Sequence, residues 1–158
     1  MGQIMERKLA AIMFTDIVGF SKMMNKDENL TMSLLNKHDE MCTDFFSTYK
    51  GELIKKIGDA NFVKFDSSLD AVKCAVELQK YLKDYNQSAP SSDKIELRIG
   101  IHIGDVIKKD GDLFSDGVNA TSRITAFSEK GGICLSQEAF KSIQGQKDIL
   151  AASIGKHN

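Results

Sequence analysis

Leu9-Ala10-Ala11-Ile12-Met13-Phe14-Thr15-Asp16-Ile17-Val18-Gly19-Phe20 is the stretch that decides how this chain is read. An apolar run long enough for one strand buried on both faces ends in a single carboxylate, Asp16. A short apolar segment with Gly19 follows, then the polar pair Ser21-Lys22. Ligands of α/β sheets gather just past strand ends, so Asp16 stands where a metal or a phosphate could be held. Asp is also a favoured N-cap, and capping of the next short helix is the competing reading of Asp16. In either case residues 17–20 would offer helix N-terminal amides, those of Ile17, Val18, Gly19 and Phe20, to a phosphate chain.

Outward from this stretch, the pattern alternates helices and strands. Leu30, Leu34, Met41, Phe45 and Tyr49 recur at helical spacing over about 28–49, with Gly51 as the expected C-terminal stop. Leu53–Ile57 and Phe62–Phe65 read as two strands joined by a tight turn at Gly58-Asp59-Ala60-Asn61, a hairpin. Ser67 or Ser68 caps a helix whose buried side is Leu69, Val72, Val76, Leu78 and Leu82. The only proline, Pro90, lies in a surface loop at 87–93. Ile95, Leu97, Ile99, Ile101 and Ile103 then alternate with other residues in the cleanest strand of the sequence. A turn at 108–111 leads to a helix over about 118–127, a short strand at 133–135 and a helix begun by Ser136. The expected fold is α/β in the α+β sense, a mostly antiparallel sheet with packed helices.

Bulk properties narrow the function. The chain has 158 residues, 42% of them hydrophobic and 27% charged, an ordinary single globular domain. A net charge of −1 gives no footprint for nucleic acid. Cys42, Cys74 and Cys134 show no paired spacing and are read as small core hydrophobes, without disulfide or zinc. No apolar run approaches a membrane span and the N-terminus does not read as a signal peptide, so the expected location is cytoplasmic.

Asp59, at the hairpin tip, is a second carboxylate, although turns carry Asp for backbone reasons as well. A strand-end Asp and a turn Asp can converge on hard cations that also bind phosphate oxygens. Asn119 and Arg123, four apart on a helix, share a face that suits a ribose oxygen and a phosphoryl group, or simply solvent.

Three motifs, in order, carry a resemblance: residues 14–21 (Phe-Thr-Asp-Ile-Val-Gly-Phe-Ser), Lys55-x-Ile57-Gly58-Asp59-Ala60, and Asp112-x-Phe114-x-Asp116-Gly117-Val118-Asn119-Ala120-x-Ser122-Arg123. Together they resemble the class III adenylyl/guanylyl cyclase catalytic domain over about residues 8–143, which implies a palm-like, ferredoxin-like fold. The resemblance implies that Asp16 and Asp59 bind two Mg²⁺ or Mn²⁺ ions and that Lys55 and Asp112 read adenine. It further implies that Asn119 orients the ribose and Arg123 stabilises the reacting phosphate. It also implies a homodimer whose sites are shared, the two aspartates from one subunit and the other four residues from its partner. Lys55 and Asp59 would lie roughly 13 Å apart in an extended strand at about 3.3 Å per residue, too far to serve one site together. A Lys donor and an Asp acceptor suit adenine, and related guanylyl cyclases resemble this pattern with Glu at the Lys position, so ATP is the expected substrate.

The family usually continues through one more hairpin bearing a triphosphate-binding lysine, and this chain ends at Asn158, apparently short of it; Lys156 is not assigned that role. Two alternatives stand beside the adenylate cyclase reading. A diguanylate-type cyclase would carry Gly-Gly-Asp/Glu-Glu-Phe, which is absent. A non-catalytic cyclase-like module that binds nucleotide or a partner is the other.

Overall fold

In the computed structural model, the described residues are 5–110, 112–115 and 117–145. Their elements run β1 (Met5–Ile17), α1 (Phe20–Lys26), α2 (Glu28–Thr48), β2 (Glu52–Ile57), β3 (Ala60–Phe65) and α3 (Ser68–Ser88). After these come β4 (Leu97–Lys109), β5 (Asp112–Ser115), α4 (Val118–Thr125), β6 (Ile133–Leu135) and α5 (Gln137–Ile143). The strands form one sheet in the order β2-β3-β1-β4-β5, antiparallel along that path, while β6 pairs β4 in parallel. The expected α+β architecture is thus the observed one. β1 and β4 pair along their whole length, from Met5 opposite Lys109 to Ile17 opposite Leu97.

Alternation along the central strands gives the sheet two different faces. Ala11, Met13 and Ile17 of β1 and Leu97, Ile99 and Ile101 of β4 join the large core under α2, α3 and α5. Ala10, Ile12 and Phe14 turn to the opposite face, where the apolar clusters are small and the only helix among the described residues is α4. There Val118 packs on Phe14, Ala60 and Phe62, and Gly117 lies against Ile12. Asp16 alternates onto this thinner face, and its register partner Arg98 shares it.

Local chemistry differs from expectation in two places, the residue before α1 and the end of α2, while the cap of α3 is one of the two serines expected. Asp16 does not cap α1: β1 continues one residue past it, and the residue before α1 is Gly19, with no side-chain cap. The left-handed residue after α2 is Lys50 (φ 63°), not Gly51. Gly51 instead ends the helix by donating its amide to the Phe46 carbonyl at 2.7 Å, and it must be glycine because a Cβ there would come within 2.8 Å of the Phe65 ring. Ser67, not Ser68, caps α3, accepting from the Asp70 amide. As expected, Cys42 and Cys74 are buried free thiols; Cys134 is only half-buried.

α4 approaches the sheet through small residues. A Cβ on Gly100 would collide with the Thr125 hydroxyl and lie 2.8 Å from its amide nitrogen. Gly100→Ala is therefore expected to lose about 1–3 kcal/mol in chemical denaturation, the usual range for overpacking. Because α4 carries Asn119 and Arg123, the same change should also displace both residues as the helix is pushed off the sheet.

Candidate active site

The site begins where β1 runs out. The β2–β3 turn at Gly58-Asp59 reaches the end of β1, since Thr15 pairs Asn61 and Phe14 pairs Phe62. Asp59 Oδ2 accepts the Ile17 amide at 2.7 Å, so the two carboxylates anticipated from sequence are brought to the same strand end. Asp16 Oδ1 is buried and has no hydrogen-bond partner among the described residues. Burial, then the negative charge of Asp59, raises the Asp16 carboxyl above the usual carboxylate range, against a smaller lowering by Arg98. An unpartnered buried carboxylate oxygen beside a second carboxylate is electrostatically unfavourable until a cation arrives.

The donors fit such a cation. Carboxylate oxygens are hard ligands, and Mg²⁺ is commonly held by one or two carboxylates plus water and substrate phosphates. No group of three or more His, Cys, Asp or Glu side chains that could hold a metal ion exists among the described residues. Asp16 and Asp59 are the residues that would hold such a cation.

The expected phosphate cradle at residues 17–20 is only partly available. Ile17 donates its amide to Asp59, and Val18 donates to the Glu96 carbonyl at 2.8 Å, because the strand continues past Asp16. Among the described residues, Gly19 and Phe20 carry the two of these four amides that have no acceptor. Both residues lie at the start of α1, Gly19 exposed and Phe20 half-buried.

The other anticipated residues occupy the same face of the sheet but are not joined to the carboxylates. Lys55, opposite Phe62, is exposed. Asn119 and Arg123 are exposed on α4, whose opposite side buries Thr121 and Thr125. None of the three side chains makes a hydrogen bond or ion pair with another described residue. Asp112 opens β5 opposite Lys109, and its side chain lies outside the described residues, as do residues 146–158 with Lys156.

Arg98 was not anticipated. It faces Asp16 across the β1–β4 ladder, and its Nε donates to the Ser128 carbonyl at 3.2 Å. The strand alternation places Arg98 off the apolar face, but only the pairing register places it beside Asp16.

A strand-end carboxylate and a hairpin-tip carboxylate on an antiparallel sheet, with a lysine and an arginine-bearing helix on the same face, define a candidate nucleotide-handling site. Residues 3–157 match the profile of the adenylate and guanylate cyclase catalytic domain, and the chain belongs to that family. A provisionally assigned adenylate cyclase 3 of Rhizobium meliloti (strain 1021) is 37% identical over 152 residues, which is 96% of this chain and 26% of that protein. A receptor-type guanylate cyclase of Caenorhabditis elegans is 30% identical over 147 residues, 83% of this chain and 14% of that protein. The chain thus spans about a quarter or less of the length of these two relatives. A crystal structure of an adenylate/guanylate cyclase/hydrolase from Silicibacter pomeroyi superposes with a TM-score of 0.83 at 32% identity, covering 96% of this chain and 89% of that one. No helix among the described residues is long and apolar enough to cross a membrane.

Proposed function

We propose that this catalytic domain is an adenylate cyclase, converting ATP to 3′,5′-cyclic AMP and pyrophosphate at sites shared between two copies of the chain. The observation that carries the reading is the pairing at the end of β1: Asp16 with a buried, unpartnered oxygen, and Asp59 fixed beside it by the Ile17 amide. Two Mg²⁺ or Mn²⁺ ions bound there would supply activation of the attacking oxygen and neutralisation of the leaving group. The chain's own residues do the rest. Asp16 and Asp59 bring negative charge to the strand end, and the amides of Gly19 and Phe20 would donate to the phosphate chain. In the reaction the ribose 3′-oxygen bonds to the α-phosphorus, its proton leaves to solvent, and the bond to pyrophosphate breaks.

Lys55, Asn119 and Arg123 lack any partner among the described side chains, which supports their acting on nucleotide held by the carboxylates of a second copy. In that arrangement Arg123 meets charge developing on the phosphate and Asn119 holds the ribose. Lys55 and Asp112 offer a donor and an acceptor that match adenine N1 and its 6-amino group, whereas guanine presents the reverse. A site built to hydrogen-bond one base rejects another by leaving buried polar groups unpaired.

The direct test measures cyclic AMP and cyclic GMP formation with Mg²⁺ and with Mn²⁺ over a range of protein concentrations. Cyclic AMP as the main product, with specific activity rising with concentration, is expected. Binding of ATP without turnover under every condition would favour a regulatory module instead. Lys55→Glu combined with Asp112→Cys is expected to depress ATP use and raise GTP use. A wild-type chain that forms cyclic GMP faster than cyclic AMP would refute the assignment of Lys55.

A further inference from the structure

Behind the carboxylates, on the opposite face of the sheet, a chain of polar side chains ties α2 to the hairpin and to β1. His38 is fully buried on α2, and its Nδ1 lies 2.9 Å from Asp39 Oδ1. Its Nε2 lies 3.4 Å from Cys42 Sγ. Burial pushes the Cys42 thiol up to about 12, so it stays protonated and donates to the ring. Burial also lowers the pKa of His38, whose neutral form with the proton on Nδ1 satisfies both contacts. The same Asp39 oxygen accepts from Lys56 Nζ at 2.7 Å. Lys56 Nζ also donates to Asn61 Oδ1 at 3.4 Å, and Asn61 Nδ2 donates to Thr15 Oγ1 at 3.4 Å. Asn61 and Thr15 are themselves buried.

The positions of these residues matter more than their number. Lys56 and Asn61 sit on the two arms of the hairpin, pair with each other across it, and enclose the turn that carries Asp59. Lys56 follows Lys55, and Thr15 precedes Asp16. From this geometry we infer that the Asp39–Lys56–Asn61–Thr15 tie is a positioning device that sets Asp59 against the end of β1, with His38 anchoring Asp39. The inference rests on the reading of Asp16 and Asp59 as cation ligands, and it names Asp39, Lys56 and Asn61 as positioning residues for that site. None of them touches the reacting groups, since the sheet lies between.

A purely stabilising role would look different. Lys56 and Asp39 side chains are 34% and 33% exposed, beside a cleft of about 260 Å³ lined in part by Cys42, Phe46 and Leu53. A pair wetted to that degree contributes little to global stability. Groups that orient a metal ligand, by contrast, commonly change metal affinity or activity by about 10–100-fold when removed.

The experiment reads the Ile17 amide, which donates to Asp59 Oδ2, by hydrogen exchange in wild type, Lys56→Met and Lys56→Arg. The neighbouring Val18 amide, bonded to the Glu96 carbonyl, is the internal control. In Lys56→Met, Ile17 exchange is expected to rise by about 10-fold, a local opening, with Val18 unchanged and the melting temperature close to wild type. Lys56→Arg keeps a cation between Asp39 and Asn61 and is expected to hold Ile17 within about 2-fold of wild type. In parallel, the Mn²⁺ concentration for half-maximal cyclase activity is expected to rise about 10-fold in Lys56→Met with the KM for ATP little changed. Unchanged Ile17 exchange in Lys56→Met would overturn the inference, as would faster exchange with an unshifted Mn²⁺ response. Loss of protection in Lys56→Arg equal to that in Lys56→Met would overturn it too. A wild type without cyclase activity would count against the proposed function alone, and Ile17 exchange would still decide whether the tie places Asp59.

Discussion

Mixing an Asp16→Ala chain with an Arg123→Ala chain is expected to restore cyclase activity to about a quarter of wild type, although each variant alone is nearly inactive. Asp16→Ala removes a carboxylate from the strand end and leaves any cation under-coordinated. Arg123→Ala removes a charge that, by analogy with arginine fingers, is worth about 10³-fold or more in rate. Arg123 lies on α4, exposed and without an ion pair to another described residue, which is what a group serving a second copy requires. In a symmetric dimer, random exchange makes half the dimers mixed, and each mixed dimer has one site with both lesions and one with neither. Background activity after confirmed subunit exchange would place the whole site within one chain.

Asp16→Asn is expected to reduce activity by more than about 100-fold, beyond what groups that merely support a metal ligand produce, and to raise the melting temperature of the metal-free protein. The direction follows from the raised pKa of Asp16. The folded chain holds that proton above the ordinary value of 3.8, so the unfolded chain ionises first as pH rises. Stability associated with the proton is complete at low pH, is lost as pH climbs through the folded pKa, and remains lost at neutral pH. The variant's amide carries no charge at any pH, so the two proteins should converge near pH 3 and separate above the carboxylate range. Saturating Mn²⁺ should close the gap from the wild-type side, by about 2.7 kcal/mol at a hundredfold excess over Kd, and should do little for the variant. Thermal melts at several pH values, with and without Mn²⁺, test this; a wild type unmoved by cation would remove Asp16 from the metal site.

The sheet was legible wherever one side of an element meets a core. The apolar run ending at Asp16 and the alternation from Leu97 to Ile103 are consequences of burial, and both strands are present. Their far halves were not legible. Gly104 and Asp105 interrupt the alternation of β4, yet the strand continues to Lys109 because β1 supplies a partner for every residue. β5 is four residues long, too short for alternation to show, so only its pairing with β4 makes it a strand. Asp16 and Asp59 could be picked out because each interrupts a pattern. Arg98 could not, since alternation gives its face but not its neighbour, and that neighbour depends on a register fixed by residues far along both strands. The spent amides of Ile17 and Val18 were hidden for the same reason: their acceptors are 42 positions away at Asp59 and, for Val18, on the segment leading into β4.

The hydrogen bond from the Ile17 amide to Asp59 gives the two carboxylates unequal weight in the fold. Asp59 closes the hairpin onto β1 through that bond, so its loss is expected to weaken the scaffold as well. Asp16 contributes no such bond through its buried oxygen and costs stability when ionised. Once selection for turnover relaxes, mutations that remove Asp16 are expected to be tolerated or even favoured, and those that remove Asp59 to be purged for their cost to folding. Among descendants that have ceased to be enzymes, erosion should therefore start at the strand end and spare the turn, so that a retained hairpin aspartate is a poor marker of activity and the strand aspartate a good one.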